Sequence, residues 1–453
     1  MSNKPDFPHN IEISRRDLIR FSMYGAAGLM LPDWLGVRAW GAGEKANRLP
    51  TAKAKSVIQI WMWGGPSHLD TFDPKPGAGT DYSGPFTSPI STNVSGIQIN
   101  EMLTELAKMA DKYSLIRSMT HGNNGHETAA YLVQTGNKAG DGLVHPSAGA
   151  IVSYMKGYEH GYKGLIPPYI VLTELLGRFS EAGFLGEKAQ PLATGGDPNA
   201  ARFVVEGVVA EKITDQRQRE RRELMHKLNT FRSVLKDDPQ LSAFDQCEEG
   251  AYDLILGDAG KVFDLSTEKD DVRLKYGRNK FGQSCLLARR LVERGVPYIA
   301  INHGGWDTHK QNFPTMRRKL PELDKALSSL IQELSDRGLL DSTIVWCGGE
   351  FGRTPKVQWE APWDGGRGHW GSCFSAFVAG GGFKGGHVVG KSDSKGEMPD
   401  ERPVYPSDLL GGMYELLGID PASTLITPQG DPVPITTATW DPKNGGGRLS
   451  EIL

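Results

Sequence analysis

Cysteine is scarce in this chain of 453 residues, which contains only Cys247, Cys285, Cys347 and Cys373. Four cysteines are too few for a disulfide scaffold, and Cys347 and Cys373 lie in apolar, strand-like runs. We therefore predict buried thiols rather than a bridge. Stability has to come from a hydrophobic core, and a chain of this length can bury a large one, as one big α/β domain or two ordinary domains.

An excess of charge of either sign is also absent. The 51 basic and 54 acidic residues give a formal net charge of −3, so no basic excess indicates a nucleic-acid partner and no acidic block indicates a disordered tail. Apart from the N-terminal region, the sequence has no apolar run that would span a membrane. Glycine (56) and proline (28) are plentiful, which is typical of long structured loops around a sheet rather than of a helical bundle.

Residues 1–42 have the features of an export signal. Arg15 and Arg16 precede an apolar, small-residue run at 21–35 that is short for a membrane span. Twin arginines before a weakly apolar stretch are recognised by the twin-arginine export machinery, which moves folded proteins, and we expect cleavage near 39–42. The protein is therefore predicted to be periplasmic or extracellular, without a stable membrane span after signal removal. The alternative is an ordinary basic, amphipathic start of a helix.

Six apolar runs are typical of buried strands. They are residues 56–63, 112–119, 167–172, 296–301, 342–347 and 373–379. Helices are predicted at 283–292 and 409–417, and leucines and isoleucines between 320 and 334 recur at helical spacing. Strands that alternate with helices of this length predict an α/β fold, in which a mostly parallel central sheet has helices on both faces.

The predicted organisation is a single α/β domain at residues 50–440, followed by a C-terminal tail at 441–453. Within the domain, residues 211–235 carry arginines interleaved with glutamates, and this mixture of signs is typical of a solvent-facing helix. We therefore predict a helical insertion, or a cap on the sheet, at about residues 197–274.

Carboxylates and imidazoles collect where the predicted strands of the second half end. Asp307 and His309 follow one strand, Glu350 follows the next after two glycines, and His369 lies in the loop before the last. Open parallel sheets bind ligands at the carboxyl ends of their strands, and mixed oxygen and nitrogen donors suit divalent metal ions. The alternative for the first pair is a surface loop in which Trp306 packs and Asp307 caps the next helix.

Two further polar clusters follow the first two strands. Asp70 lies in the loop after the first strand, close to Asp73-Pro74, for which an Asx-type turn is the alternative. His126 and Thr128 open a helix after the second strand, where free backbone N–H groups would bind an anion. A structural role is the alternative for this histidine.

Two arginines accompany these clusters. Arg353 comes three residues after Glu350, and Arg367 comes two residues before His369. A guanidinium in such a place either pairs with the nearby carboxylate or binds an anionic substrate through two parallel hydrogen bonds.

In this order the motifs resemble those of the DUF1501 family of exported proteins, within the alkaline phosphatase and sulfatase superfamily. The marks are the twin-arginine leader, Gly-Gly-x-Ser-x-x-Asp-Thr-Phe-Asp-Pro-Lys-Pro at 64–76, Trp-Asp-Thr-His at 306–309, Gly-Glu-Phe-Gly-Arg-Thr-Pro at 349–355 and Gly-Arg-x-His-Trp at 366–370. The resemblance covers nearly all of the mature chain and implies an alkaline-phosphatase-like fold.

The resemblance also implies one or two divalent metal ions, with zinc, manganese and calcium as candidates. In the superfamily, two ions about 4 Å apart flank a displacement at phosphorus or sulfur. By this resemblance Asp307, His309 and His369 hold one ion. Asp70 corresponds to an early ligand of the second ion, and Glu350 stands where that ion would take an Asp-His pair.

The remaining catalytic roles are likewise implied by the resemblance. The nucleophile falls near the start of the helix at His126, where Thr128 is the hydroxyl, unless a water takes this role. His126 would be the acid or base, and Arg353 or Arg367 would neutralise the anion. A formylglycine sulfatase is not expected, because no cysteine occurs between the signal and Cys247.

The predicted function is that of an exported metal-dependent hydrolase of phosphate or sulfate esters. Its substrate would be a small anionic ester or a sulfated or phosphorylated glycan. The alternative is a non-catalytic exported binding or surface-assembly protein that retains the fold, with a structural metal ion or with the polar clusters forming a hydrogen-bond network.

Overall fold

The computed structural model describes most of the chain outside its N-terminal region. The described residues are 51–174, 180–200, 260–437 and 446–453, with a few positions between 203 and 224. The predicted signal at 1–42 and most of the predicted insertion at 197–274 lie outside them, so the division into domains stays a prediction. None of the helices in the described part is long and apolar enough to cross a membrane.

The described strands build one large sheet and four small two-stranded ladders. In chain order they are β1 (Ser56–Trp61), β2 (Ile90–Ser91), β3 (Gln98–Ile99), β4 (Tyr113–Met119), β5 (Tyr169–Leu172), β6 (Leu192–Ala193), β7 (Tyr298–Asn302), β8 (Thr343–Gly348), β9 (Gly352–Arg353), β10 (His369–Trp370), β11 (Phe374–Ala379), β12 (His387–Val389), β13 (Lys391–Ser392), β14 (Pro399–Glu401), β15 (Thr424–Ile426) and β16 (Pro432–Pro434). The six predicted strands are confirmed to within two residues at each end.

The large sheet has the order β12–β4–β11–β8–β1–β7–β5–β6. Its neighbouring strands are parallel except at β11, which runs antiparallel to both β4 and β8. The predicted α/β class with a mostly parallel sheet is therefore confirmed. The direction of β11 has a consequence for function, because this strand begins at the edge where its parallel neighbours end.

Eight α-helices have both ends in the described part of the chain. They are α1 (Thr80–Ser83), α2 (Thr104–Ala107), α3 (His126–Thr135), α4 (Ala148–Lys156), α5 (Asp270–Tyr276), α6 (Lys280–Glu293), α7 (Asn312–Asp336) and α8 (Pro406–Leu416). The predicted stripe along α7, which includes Leu320, Leu327 and Leu334, is fully buried. The side chain of Asn279 caps α6 by accepting a 2.8 Å hydrogen bond from the backbone N–H of Gly282.

Strand β1 separates two apolar cores because its side chains alternate in direction. Ile58 and Ile60 belong to the core that contains the apolar stripes of α6 and α7. Val57 and Trp61 belong to the core that contains residues of α3, α4 and α8. Helices therefore cover both faces, as predicted, and each fully buried aliphatic side chain contributes about 1.5–3 kcal/mol.

A short antiparallel ladder joins two distant motifs at the edge where β1, β7 and β8 end. Strand β9 pairs with β10, so that Arg353 lies opposite His369 and Gly352 lies opposite Trp370. This ladder brings the segment after β8 and the segment before β11 to the same edge of the sheet.

Candidate metal centre

Four of the predicted site residues converge at this edge. The Nε2 atoms of His309 and His369 are 2.8 Å apart, and they lie 3.1 Å and 3.2 Å from Oδ1 of Asp307. Nε2 of His126 lies 3.4 Å from the other oxygen, Oδ2, of Asp307. His126, Asp307, His309 and His369 are called the His–Asp cluster below.

Two glycines allow the loops that carry the cluster to approach closely. Gly64 has φ +107°, and a Cβ there would lie 2.3 Å from the backbone nitrogen of Asp307. A Cβ on Gly366 would lie 1.8 Å from the carbonyl oxygen of His309. Any side chain at either position would collide with the backbone that holds the cluster, so only glycine fits there.

A buried carboxylate orients His126. Oε1 of Glu350 lies 2.6 Å from Nδ1 of His126 and accepts a 2.9 Å hydrogen bond from the backbone N–H of Gly64. The hydrogen-bond network therefore assigns the Nδ1 proton to the imidazole, which leaves Nε2 to face Asp307. This hydrogen bond raises the pKa of His126, against partial desolvation. A carboxylate behind a histidine is typical of metal-ligating histidines.

A backbone carbonyl orients His369 in the same way. Its Nδ1 lies 2.8 Å from the carbonyl oxygen of Asn124, which can only accept, so the Nδ1 proton is donated and Nε2 faces the cluster. The buried ring of Phe351 stacks on His369 at 4.6 Å between centroids, with 28° between the planes. The ring direction of His369 is therefore fixed from two sides.

Arg353 keeps Asp307 ionised. Its buried guanidinium donates to Oδ1 of Asp307 and to the carbonyl oxygens of Gly64 and Gly65. Partial burial alone would raise the pKa of Asp307, but the charge and hydrogen bond of Arg353 outweigh it and lower the pKa. Burial lowers the pKa of His309, against the attraction of Asp307, so a neutral ring is favoured there.

Asp70 and Arg367 are not brought to the cluster. Both are fully buried, and Arg367 donates from Nε to Oδ2 (2.8 Å) and from Nη2 to Oδ1 (2.9 Å) of Asp70. Asn312 donates a further hydrogen bond of 2.8 Å to Oδ2. The structure thus places Asp70 in a closed ion pair rather than at a metal ion, and it places Arg367 on Asp70 rather than on a substrate anion.

Thr128 lies in the first turn of α3, as predicted, and both Thr128 and Arg353 contact other protein groups. The exposed hydroxyl of Thr128 lies 3.1 Å from Oδ1 of Asn123 and 3.3 Å from the carbonyl oxygen of Gly125, and it can donate to only one of them at a time. The guanidinium of Arg353 is fully buried and directed at Asp307 and backbone carbonyls, so its charge is paired with a protein carboxylate.

His121 was not among the predicted site residues, although it lies two residues after β4. Its Nδ1 accepts a 3.0 Å hydrogen bond from the backbone N–H of Asn123, so Nε2 carries the proton and donates to the carbonyl oxygen of Glu350 at 2.7 Å. Burial lowers the pKa of His121, against that hydrogen bond, and keeps the ring neutral. His121 therefore fixes the backbone of Glu350, which in turn holds His126.

His303, which directly follows β7, lies in the core. Its ring stacks on Phe281 at 3.8 Å and meets Trp306 edge-on at 5.4 Å. Complete burial lowers its pKa well below the ordinary value. This histidine is part of the packing beneath the loop and not of the cluster.

The residues present fit a divalent metal ion. Bonds of about 2.0–2.1 Å to tetrahedral ligands would place the ligand atoms roughly 3.3 Å apart, and Oδ1 of Asp307 and the Nε2 atoms of His309 and His369 lie 2.8, 3.1 and 3.2 Å from one another. The ligand atoms of His126, Asp307 and His369 lie within 4.8 Å of one another. Oε2 of Glu350 is buried and has no hydrogen-bond partner among the described residues, so one more oxygen is available.

The sequence belongs to the DUF1501 family, whose members are described as proteins of unknown function. The family model matches residues 54–442, which confirms the resemblance drawn from the motifs. No curated protein matches the sequence.

Several solved structures are similar to this chain at low identity. A lipoteichoic acid synthase from Listeria monocytogenes is 10% identical with a TM-score of 0.39, covering 88% of this chain and 78% of that one. A sulfatase from Pseudoalteromonas sp. is 13% identical with a TM-score of 0.36, covering 80% and 68%. A protein of the alkaline phosphatase superfamily from Vibrio parahaemolyticus is 10% identical with a TM-score of 0.35, covering 82% and 68%. These values are too low to transfer an activity, so function is inferred below from the side chains.

Proposed function

We propose that this protein is an exported, metal-dependent hydrolase of phosphate or sulfate esters. The observation that carries the proposal is the convergence of three imidazoles and one ionised carboxylate at the edge where β1, β7 and β8 end. A divalent ion held there would supply Lewis-acid polarisation of the ester and activation of a water. Three nitrogen donors and one carboxylate favour zinc over the hard ion calcium.

The protein residues around the cluster divide into ligands and groups that position them. His126, His309, His369 and Asp307 would hold the ion, while Glu350 would act behind His126 rather than on the ion itself. The side chains of Asp307 and His309 are 42% and 40% exposed, so an ester in solution can reach this face of the cluster.

A water is favoured over Thr128 as the nucleophile. The hydroxyl of Thr128 faces Asn123 and Gly125 at the start of α3, and no histidine or carboxylate is among its hydrogen-bond partners in the described part of the chain. A hydroxyl without a base close by is a weak nucleophile. His126 is assigned as a ligand and not as the acid or base, because Glu350 and Asp307 face its two nitrogens.

The substrate class follows from the charge at the site. An ion with a charge of two, held by one carboxylate and three neutral imidazoles, retains positive charge on its open side and attracts an anionic ester. A small phosphate or sulfate ester, or a glycan carrying either group, meets this requirement.

The place of action is proposed from the twin-arginine segment. Changing Arg15 and Arg16 together to lysine should keep the protein in the cytoplasm, because the export machinery selects for arginine at both positions. Fractionation of cells that express the two forms tests this. Equal export of both forms would contradict the proposal.

The decisive experiment compares metal content and ester hydrolysis in the wild-type protein and Asp307→Ala. We expect bound zinc and turnover of phosphate or sulfate monoesters in the wild type, and loss of both in the variant. Asp341→Ala, which removes an exposed carboxylate elsewhere, is the matched control and should behave like the wild type. Turnover that persists without metal would refute the proposal.

The second candidate is an exported binding protein that holds the ion without catalysis. It is favoured because Arg353 and Arg367 are both fully buried and hydrogen-bonded within the protein. Stoichiometric metal together with tight glycan binding, but no turnover of any phosphate or sulfate ester, would select this candidate.

A further inference from the structure

The guanidinium of Arg353 lies where three loops meet, at the edge of the sheet where β1, β7 and β8 end. It donates to Gly64 and Gly65 after β1 and to Asp307 after β7, and it arises from β9, just after β8. A fourth hydrogen bond, of 3.3 Å, runs to the carbonyl oxygen of Arg367. A permanent positive charge is therefore fixed beside the His–Asp cluster, on the same oxygen of Asp307 that His309 and His369 face.

The carboxylate oxygens near the cluster are largely engaged by protein groups. Oδ1 of Asp307 receives Arg353, and Oε1 of Glu350 receives His126 and Gly64. Both oxygens of Asp70 are taken in its buried ion pair with Arg367. A second divalent ion would need several oxygen or nitrogen ligands of its own, and Oε2 of Glu350 is the buried carboxylate oxygen without a hydrogen bond in the described residues.

Electrostatic repulsion also disfavours a second metal ion. A guanidinium cannot lose its proton in a protein, so Arg353 opposes any further cation that would share Asp307 with it. One divalent ion and the guanidinium carry three positive charges against the two negative charges of Asp307 and Glu350, an excess of one, and a second divalent ion would raise this excess to three.

We infer that the centre binds a single metal ion and that Arg353 is a built-in second cation beside it. This inference rests on the proposed function, because it concerns the same cluster. Arg353 acts here through Asp307, as a positioning residue, and the anionic substrate meets a field set by one ion and one immobile guanidinium.

The first test is a metal titration of the purified full chain after removal of metal with a chelator. Zn²⁺ is added and bound metal is measured by elemental analysis, and Co²⁺ is added in parallel and followed by its visible absorption. We expect saturation at one equivalent with either ion. Saturation at two equivalents would overturn the inference and leave the hydrolase proposal standing, whereas no uptake of metal would overturn both.

The second test separates charge from position by comparing Arg353→Gln with Arg353→Lys. Removal of the charge in Arg353→Gln should tighten zinc binding by about tenfold or admit a second equivalent, while Arg353→Lys keeps the charge and should hold one equivalent with little change. Arg318→Gln, which removes an exposed arginine on α7, should leave zinc binding unchanged. Weaker zinc binding in Arg353→Gln than in Arg353→Lys would overturn the inference, and if neither variant folds, the wild-type titration decides.

Discussion

Two ion pairs near the candidate metal centre, Arg367–Asp70 and Arg353–Asp307, differ in how completely protein groups engage the aspartate. Both guanidiniums, of Arg353 and Arg367, are completely buried. The Asp70 side chain beside Arg367 is also completely buried, whereas the Asp307 side chain beside Arg353 is 42% exposed. In the first pair both carboxylate oxygens accept hydrogen bonds from the protein. In the second pair one oxygen does so, and the other faces His126.

In the proposed function, the difference separates a structural pair from a functional one. A buried ion pair whose two carboxylate oxygens both accept hydrogen bonds is costly to break and is not exposed to a ligand in solution. A carboxylate held from one side only keeps its charge and still presents an oxygen to imidazoles and solvent. The two pairs use the same residue types in neighbouring motifs, so their roles depend on the contacts that the fold provides.

The largest effect on metal affinity is expected when Asp307, the partly exposed partner of Arg353, is changed. Asp307→Asn removes the negative ligand and should reduce zinc affinity by more than about a hundredfold, since changes behind a ligand alone cost 10–100-fold. The fold should persist, because this side chain is partly exposed. Metal content after dialysis and the midpoint of thermal unfolding in chelator measure the two properties. A variant that still holds stoichiometric zinc would remove Asp307 from the centre.

A change in the fully buried pair of Arg367 and Asp70 should instead lower the stability of the fold. Arg367→Met leaves the carboxylate of Asp70 buried without its partner and should reduce the free energy of unfolding by about 3–5 kcal/mol. Urea unfolding of the metal-free protein measures this change. The double variant Asp70→Leu/Arg367→Met should recover part of the loss, because it removes both buried charges. If Arg367→Met lowers the free energy of unfolding by less than about 1 kcal/mol, the pair of Arg367 and Asp70 does not have the structural role described above.

A smaller effect on zinc affinity is expected at Glu350, which accepts a hydrogen bond from His126. Glu350→Gln should weaken zinc binding by about 10–100-fold through loss of the carboxylate that orients His126. Isothermal titration measures the affinity. A loss as large as that of Asp307→Asn would instead make Glu350 a ligand itself.

Glu350 also sets a pH dependence in the metal-free protein. Its hydrogen bond raises the pKa of His126, so the resulting stability is fully present below pH 6.5, the ordinary value for histidine, and is lost as pH rises through the folded-state pKa. Glu350→Gln should flatten this dependence. Unfolding curves of the two metal-free proteins at several pH values provide the comparison.

The smallest effect is expected at Thr128. Thr128→Ala removes an exposed hydroxyl that serves one local hydrogen bond, and surface changes of this kind usually alter stability by no more than about 0.5 kcal/mol. Turnover, measured as ester hydrolysis at saturating zinc, should also stay within about threefold if a water is the nucleophile. Abolished turnover with metal retained would reinstate Thr128 as the nucleophile.

Much of the fold and part of the site could be predicted from the sequence. The strands were visible as apolar runs, and the rule that ligands gather at strand ends brought Asp307, His309 and His369 together correctly in space. The antiparallel direction of β11 was not visible, because a short apolar strand carries the same pattern in either direction.

The roles of the arginines could not be predicted, for a physical reason. Whether Asp70 is a ligand or an ion-pair partner depends on Arg367, which lies 297 residues away along the chain. Burial of that pair is decided by the packing of the loop after β1 against the loop before β10. A motif records the residue types but not which long-range partner has already taken their hydrogen bonds.

The cluster is assembled from segments that flank β4, β7 and β11; β4 and β11 are neighbours in the large sheet, and β7 lies three strands beyond β11. None of these segments alone offers more than two of the four ligands. In the proposed function, the ion would therefore bind only after the sheet has formed, and it would then link segments that lie far apart in the sequence. The compartment in which the chain folds, with its own pool of free metals, would then decide which ion is bound.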